Sequence, residues 1–256
     1  MRDSEARFSV VIPVHNEEAM LPKTLSSVYS LQPDEVFFCL DRCTDGTEDI
    51  VKRWADAYAK STTTTLRRYT DSDGVGWQFR GAYLRRDAYN RVRNDTILNS
   101  AADLRLCQSI PRLLENIPRR YGLVSFHYYE YPWTIQCFER GLLCRIRPGF
   151  AGLLALSRRA WRHTEDIEDL KKIPRAEDTH LHFAIRSRYP VKHYHSYSLH
   201  LRPNETPLDH YNRGQATYAL VTHKVLRVLI QSVVMFRPAK FCGFMHARSE
   251  DRRMSC

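Results

Sequence analysis

The sequence has no run of about 20 apolar residues, and this absence excludes a membrane-spanning helix. It also has no internal repeat, no low-complexity tract and no Gly/Ser-rich linker, so we predict one domain with a helical tail. We expect no signal peptide in MRDSEARFSVVIPV, because its apolar run is short and leads directly into a predicted strand.

The cysteines show no disulfide framework. Seven of them, an odd number, are scattered along the chain, which favours buried thiols, a reducing compartment and a cytoplasmic location. Cys39 and Cys43 are close in sequence, so a metal or disulfide role remains an alternative for this pair. The apolar, strand-like run around Cys39 instead favours a buried thiol.

The charge is strongly unbalanced. A net charge of +10 favours anionic partners such as nucleotides, phosphorylated lipids or acidic membranes. The chain lacks zinc-finger spacing and an aromatic RNA-binding signature, so we expect no nucleic-acid partner. With 256 residues, 43% of them hydrophobic and 27% charged, the composition is that of an ordinary globular protein.

Apolar runs and helical periodicities alternate in the first half. Predicted strands are FSVVIPV, EVFFCLD, TTTTLRRY and DTILNSAAD, and predicted helices are NEEAMLPKTLSSVYSL, DGTEDIVKRWADAYAK and FRGAYLRRDAYNRVR. We expect Glu17 and Glu18 in the first turn of the first helix, and Asp103 at the end of the fourth strand. This alternation predicts a parallel sheet that gathers ligands at the carboxyl ends of its strands.

The second half is less regular. AEDTHLHFAIRSR predicts a helix with an acidic start, and an apolar stripe within Tyr211–Phe236 predicts another. We therefore predict a main domain over residues 1–205 and a helical extension over 206–256 packed on it. Peripheral contact of the Tyr211–Phe236 segment with anionic lipid is the alternative to packing on the core.

Two motifs place polar groups directly after the first two strands. In VVIPVHNEE and CLDRCTDGTEDI, the candidate nucleotide ligands are Pro13, Val14, His15, Glu17, Asp41 and Asp45. A carboxylate at a strand end can accept N–H groups of a base, and we predict this for Asp41. Solvated turns that open helices are the alternative interpretation of both motifs.

Taken in order, VVIPVHNEE, LDRCTDGTEDI, DTILNSAADLRL, AEDTHLHFAI and LHLRP resemble the family 2 glycosyltransferases, over roughly residues 7–245. The resemblance implies the GT-A fold, an α/β Rossmann-like domain with a mainly parallel central sheet covered by helices. It implies that residues 1–106 bind the donor and residues 107–205 the acceptor. The resemblance further implies a UDP- or GDP-sugar donor, a glycan or polyprenyl-phosphate-type acceptor, and an inverting glycosyltransferase of the hexosyltransferase class.

The resemblance also assigns roles to residues. Asp178, beside Glu177, is the implied catalytic base, although both could simply compensate a helix dipole. Asp103 and His200 are the implied ligands of Mg²⁺ or Mn²⁺, with a surface or core histidine as the alternative for His200. Two further residues, Arg80 and Ala102, are expected at the donor site.

One departure from the family pattern raises a second hypothesis. Where the family has Asp-Ala-Asp, this chain has Ala101-Ala102-Asp103, so the first carboxylate is absent. Mg²⁺ can be held by one carboxylate plus substrate phosphates, and arginines could neutralise a diphosphate or lie on a solvated face. The alternative is a catalytically degenerate relative that binds nucleotide-sugars. The candidate arginines are Arg80, Arg85, Arg86 and Arg105.

Overall fold

The computed structural model describes residues 7–76, 80–115, 117–130, 152–164 and 177–202, together with Cys242 and Met245. Its strands are β1 (Phe8–Val14), β2 (Glu35–Asp41), β3 (Thr63–Tyr69), β4 (Thr96–Asn99), β5 (Leu104–Arg105), β6 (Leu123–Glu130), β7 (Leu154–Ser157) and β8 (Val191–His200). Its α-helices are α1 (Leu21–Ser30), α2 (Thr47–Ala57), α3 (Arg80–Arg91), α4 (Ile110–Leu114), α5 (Ile117–Arg120), α6 (Arg158–Arg162) and α7 (Glu177–Arg186), and a 3₁₀ turn covers Asp71–Asp73.

All eight strands lie in one sheet, in the order β3-β2-β1-β4-β7-β6-β8-β5. The first four pair in parallel, with β1 between β2 and β4 and with β3 on the outer edge of β2. β7 runs antiparallel to β4 and β6, and β5 runs antiparallel to β8. The predicted parallel sheet is therefore confirmed in the first half, while the second half is mixed.

Helices cover both faces of the first four strands. On one face, Val10 and Ile12 of β1 pack in the same cluster as Leu25 of α1. On the other face, Val11 packs in a second cluster with Leu84 of α3. A strand that is buried on both faces needs apolar residues at nearly every position, which explains why FSVVIPV is apolar except at Ser9.

The start of α1 corrects one prediction. The helix begins at Leu21, with Pro22 in its first turn, so Glu17 and Glu18 precede it instead of forming that turn. Proline is favoured there because the first N–H groups of a helix have no partner within the helix. Glu17 and Glu18 instead belong to the connection between β1 and α1.

The position of Asp103 corrects another. β4 ends at Asn99, and Asp103 lies in the connection to the short strand β5. The polar Asn99 and Ser100 end the apolar run, and the chain turns before it pairs with β8. Asp103 therefore lies directly before β5, instead of at the end of β4.

Other predictions are settled more simply. Cys39 and Cys43 are free thiols, and burial raises the pKa of Cys39 to about 12. Within the described part of the chain, no helix is long and apolar enough to cross a membrane. The predicted extension over residues 206–256, including the amphipathic segment Tyr211–Phe236, lies outside the described residues apart from Cys242 and Met245.

Candidate active site

The connections after β1 and β2 are joined to each other at the carboxyl edge of the sheet. His15 Nδ1 donates to the backbone oxygen of Asp41 over 2.6 Å, since a carbonyl can only accept. Asn16 Oδ1 accepts the backbone N–H of Thr44 at 2.8 Å, and the N–H of Glu17 donates to Thr47 Oγ1 at 2.7 Å. The two predicted nucleotide motifs thus form one surface.

Asp45 connects the two loops of this surface by hydrogen bonds. Its carboxylate accepts the backbone N–H groups of Thr47, at 3.1 Å, and of Glu18, at 3.2 Å. Burial alone would raise the pKa of Asp45, but these hydrogen bonds outweigh it and hold the pKa below its ordinary value. Of the other predicted ligands, Pro13 and Val14 end β1, and the Val14 carbonyl accepts the Cys43 thiol at 3.6 Å.

Asp41, the last residue of β2, is enclosed by two arginines. Arg80 Nε donates to its Oδ1 at 3.0 Å, and Arg42 donates to both carboxylate oxygens at 3.1 Å. Arg80 also donates to the backbone oxygen of Thr70 at 3.1 Å. Its side chain is only 4% exposed, so Arg80 is a buried partner of Asp41.

The electrostatics of Asp41 follow from these contacts. Burial by itself would raise the pKa of the carboxyl, but the hydrogen bonds from Arg80 and then Arg42 hold the pKa below its ordinary value. Asp41 is therefore ionised and paired throughout the neutral range. Its Oδ2 accepts a hydrogen bond from Arg42, whose side chain is 30% exposed, so Arg42 forms the more open side of this group.

A second cluster surrounds Asp103. Arg202 Nε lies 2.8 Å from Asp103 Oδ2, and His200 Nε2 lies 3.2 Å from the same oxygen. The other end of the Arg202 guanidinium pairs with Glu17 Oε1. One arginine therefore links the loop after β1, the start of β5 and the end of β8.

The backbone around Asp103 is firmly held. The N–H of Leu201 donates to the Asp103 carbonyl at 2.8 Å, and Leu104 pairs with His200 in the sheet. Ala102 is buried, and its carbonyl accepts the hydroxyl of Thr24 in α1 at 2.7 Å. Its predicted role at the donor site therefore rests on backbone position.

The predicted base lies in a helix. α7 is described from Glu177 to Arg186, so Glu177 and Asp178 are both helical, as AEDTHLHFAIRSR predicts. The side chains of both lie outside the described part of the structure. Further along the helix, Leu181 and Ile185 are buried beside α3, which fixes α7 against the sheet.

The Asp103 cluster suits a divalent cation in part. Two ligands at right angles on a cation with bonds of about 2.1 Å lie about 3 Å apart, and Asp103 Oδ2 and His200 Nε2 match that spacing. Among the described residues, no three His, Cys, Asp or Glu side chains are grouped to hold a metal ion by themselves. Donor phosphates and water would have to complete the coordination.

Sequence reasoning missed Arg202 as a site residue. It lies in LHLRP, two residues beyond the predicted ligand His200, yet its partners Glu17 and Asp103 are far away in sequence. The only available signal was its closeness to His200. Conversely, Arg105 is exposed on β5, and Arg80 is committed to Asp41.

The parallel half of the sheet, with polar loops at its carboxyl edge, defines an α/β protein of the nucleotide-binding type. The model of glycosyl transferase family 2 matches residues 9–194, so the chain belongs to this family. No protein with a curated function matches the chain in sequence.

Solved structures of S. aureus TarS share the fold. One structure of TarS has a TM-score of 0.59 at 16% identity, covering 90% of this chain and 43% of that one. TarS 1–349 in complex with UDP-GlcNAc has a TM-score of 0.57 at 17% identity, covering 85% of this chain and 67% of that one. The chain therefore spans from under half to two thirds of these relatives, and the GT-A fold is confirmed.

Proposed function

We propose that the chain transfers a sugar from a nucleoside-diphosphate donor to an acceptor. The observation that carries this proposal is the meeting of Glu17, Asp103, His200 and Arg202 at the carboxyl edge of the sheet, where such folds bind ligands. Membership of glycosyl transferase family 2 supports it. The UDP-GlcNAc complex of TarS, a chain with the same fold, supports a UDP-sugar donor, with a GDP-sugar as the alternative.

The proposed reaction inverts the anomeric carbon. Asp178 accepts the proton of the acceptor hydroxyl while that oxygen forms a bond to the anomeric carbon. The bond from this carbon to the diphosphate breaks at the same time, and the diphosphate leaves with the electron pair. A glycan acceptor needs this base. A polyprenyl-phosphate acceptor is already ionised and needs it much less.

The donor is held at two points in this proposal. Asp41 accepts N–H groups of the base at its Oδ2, which requires the half-exposed Arg42 to share or leave that oxygen. The diphosphate lies toward Asp103 and His200, which would hold Mg²⁺ or Mn²⁺. When bound, such a cation supplies positive charge that stabilises the leaving diphosphate.

The second candidate is a catalytically degenerate relative that binds nucleotide-sugars without transferring them. Ala101 favours it, because the first carboxylate of the family's metal motif is missing. Cytoplasmic location and peripheral membrane contact through Tyr211–Phe236 remain predictions.

One experiment separates the two candidates. The protein is incubated with UDP- and GDP-sugars, Mg²⁺ or Mn²⁺, and either glycan or polyprenyl-phosphate acceptors, and nucleotide release is measured. Release with sugar transfer supports the enzyme, whereas donor binding without release under all conditions supports the degenerate relative. Binding of no donor refutes both.

Two variants test the base with a glycan acceptor. Asp178→Asn should lower turnover by about 10²- to 10⁴-fold and leave donor affinity unchanged. Asp49→Asn is the matched control, because Asp49 is an exposed carboxylate in the first turn of α2. If both variants retain full turnover, Asp178 acts only on the helix dipole.

A further inference from the structure

Arg202 occupies the carboxylate oxygen that the proposed metal site needs. Its Nε lies 2.8 Å from Asp103 Oδ2, the same oxygen that faces His200 Nε2 at 3.2 Å. A metal bound to Asp103 and His200 would also contact this oxygen. Because two cations at one oxygen repel each other, the guanidinium and a metal compete for Asp103.

Asp103 and Arg202 differ in exposure and in how firmly the surrounding structure holds them. Asp103 is 8% exposed, and its backbone is held by the Leu201 N–H and by the pairing of β5 with β8. The Arg202 side chain is 48% exposed and lies beyond the last residue of β8. A change of partner is thus expected to move the guanidinium and to leave the carboxylate in place.

The net charge of this group of side chains favours binding of a further cation. Glu17 and Asp103 contribute two negative charges and Arg202 one positive charge, so these three side chains carry one net negative charge. A divalent cation reverses this sign and makes the site attractive to a diphosphate. The displaced guanidinium then has a planar set of N–H donors that matches phosphate oxygens.

We propose that Arg202 is an exchangeable cation at Asp103. Without a donor, Arg202 holds the carboxylate and disfavours free metal, and when a donor arrives with its metal it moves to the diphosphate. This inference rests on the proposed function and adds a residue and an order of events to it. Because Ala101 supplies no second carboxylate, metal binding then depends on the donor.

The exchange predicts effects of opposite sign from one substitution. Arg202→Gln frees Asp103, so Mn²⁺ should bind at least about threefold more tightly without nucleotide. The same variant loses a charge-assisted contact to the diphosphate, so UDP or GDP should bind about tenfold or more weakly in the presence of Mn²⁺. UMP or GMP, which lack the second phosphate, should show a smaller loss.

The test measures free Mn²⁺ by electron paramagnetic resonance and nucleotide affinity by calorimetry, on the full chain. Arg202→Lys keeps the charge without the planar fork and should lie between the parent and Arg202→Gln. Arg119→Gln, which removes an exposed guanidinium from α5, is the control and should match the parent.

The outcomes are distinct. Tighter Mn²⁺ binding together with weaker UDP or GDP binding in Arg202→Gln supports the exchange. If the parent binds UDP or GDP with Mn²⁺ and Arg202→Gln leaves either affinity unchanged or shifts both in the same direction, the exchange is refuted while the proposed function stands. If the parent binds no nucleoside diphosphate, the proposed function itself fails.

Discussion

Two buried carboxylates lie at the carboxyl edge of the sheet, and their surroundings differ. Asp41 is paired with Arg80, whose side chain is 4% exposed, and with Arg42. Asp103 is paired with Arg202, whose side chain is 48% exposed, and with His200. Asp41 has one partner, Arg80, that is buried in the protein, whereas the arginine partner of Asp103 is half exposed to solvent.

This difference in exposure indicates a structural role for Asp41 and a role in the reaction for Asp103. A charge pair that is closed off from water is costly to break, so Asp41 and Arg80 fix the end of β2 and the loops around it. A pair with a half-exposed arginine can exchange partners at low cost, because water can solvate the freed guanidinium. We therefore expect substitutions of Asp41 to affect stability most and substitutions of Asp103 to affect turnover most.

The largest expected effect is on stability. Asp41→Ala leaves the buried Arg80 with the more distant carboxylate of Asp73, 3.7 Å away, and should lower the free energy of unfolding by about 3 kcal/mol. Urea denaturation measures this directly. The double variant Asp41→Leu/Arg80→Met should recover most of the loss, since it removes both buried charges. A loss below about 1 kcal/mol in Asp41→Ala would show that the pair is not a structural element.

The next effect is on turnover. Asp103→Ala should lower sugar transfer by about 10²- to 10³-fold, the range seen when one electrostatic stabiliser of a leaving group is removed. Stability should change little, because Arg202 can rehydrate. Steady-state kinetics with urea denaturation on the same sample gives both values. Unchanged transfer in this variant would assign the diphosphate to other residues.

The sequence predicts β1, β2 and the surroundings of Asp41 well. FSVVIPV and EVFFCLD coincide with β1 and β2, because strands buried on both faces leave an unmistakable apolar run. The carboxyl-edge placement of His15 and Asp41 follows from the parallel topology alone. Predictions based on local pattern were therefore confirmed where local pattern decides the structure.

Contacts between distant segments could not be predicted from the sequence. Nothing local marks Arg202 as the partner of both Glu17 and Asp103, because the contacts join three distant segments. The end of β4 was misplaced for a related reason, since the turn before β5 depends on pairing with β8. The sequence predicts Arg80 at the donor site, and only the fold shows that its guanidinium is buried against Asp41.

The pH dependence of stability sharpens the comparison. The pKa of Asp41 is held below its ordinary value of about 3.9, so its contribution is present above that pH and is lost as the pH falls through the lowered pKa. The stability difference between the parent and Asp41→Asn should therefore be largest near neutral pH and shrink below about pH 4. Urea denaturation at pH 7, 5, 4 and 3 tests this, and a constant difference would argue against the ion pairs.

The smallest expected effect comes from restoring the missing carboxylate. Ala101→Asp should tighten Mn²⁺ binding about tenfold in the presence of UDP or GDP, since a second hard oxygen ligand is added. Turnover need not rise, because a firmer hold on the diphosphate product can slow its release. Calorimetry with and without nucleotide measures the change. Gain of transfer activity by this variant from an inert parent would identify the natural chain as the degenerate relative.

The most direct measurement of the central claim is a crystal structure with Mn²⁺ and UDP or GDP, in which anomalous scattering locates the metal. We predict a Mn²⁺ peak between Asp103 Oδ2 and the diphosphate, with Arg202 moved from Asp103 onto a phosphate and with Asp41 still paired to Arg80. A nucleotide bound while Arg202 remains on Asp103, or a metal peak at Asp41, would contradict the account.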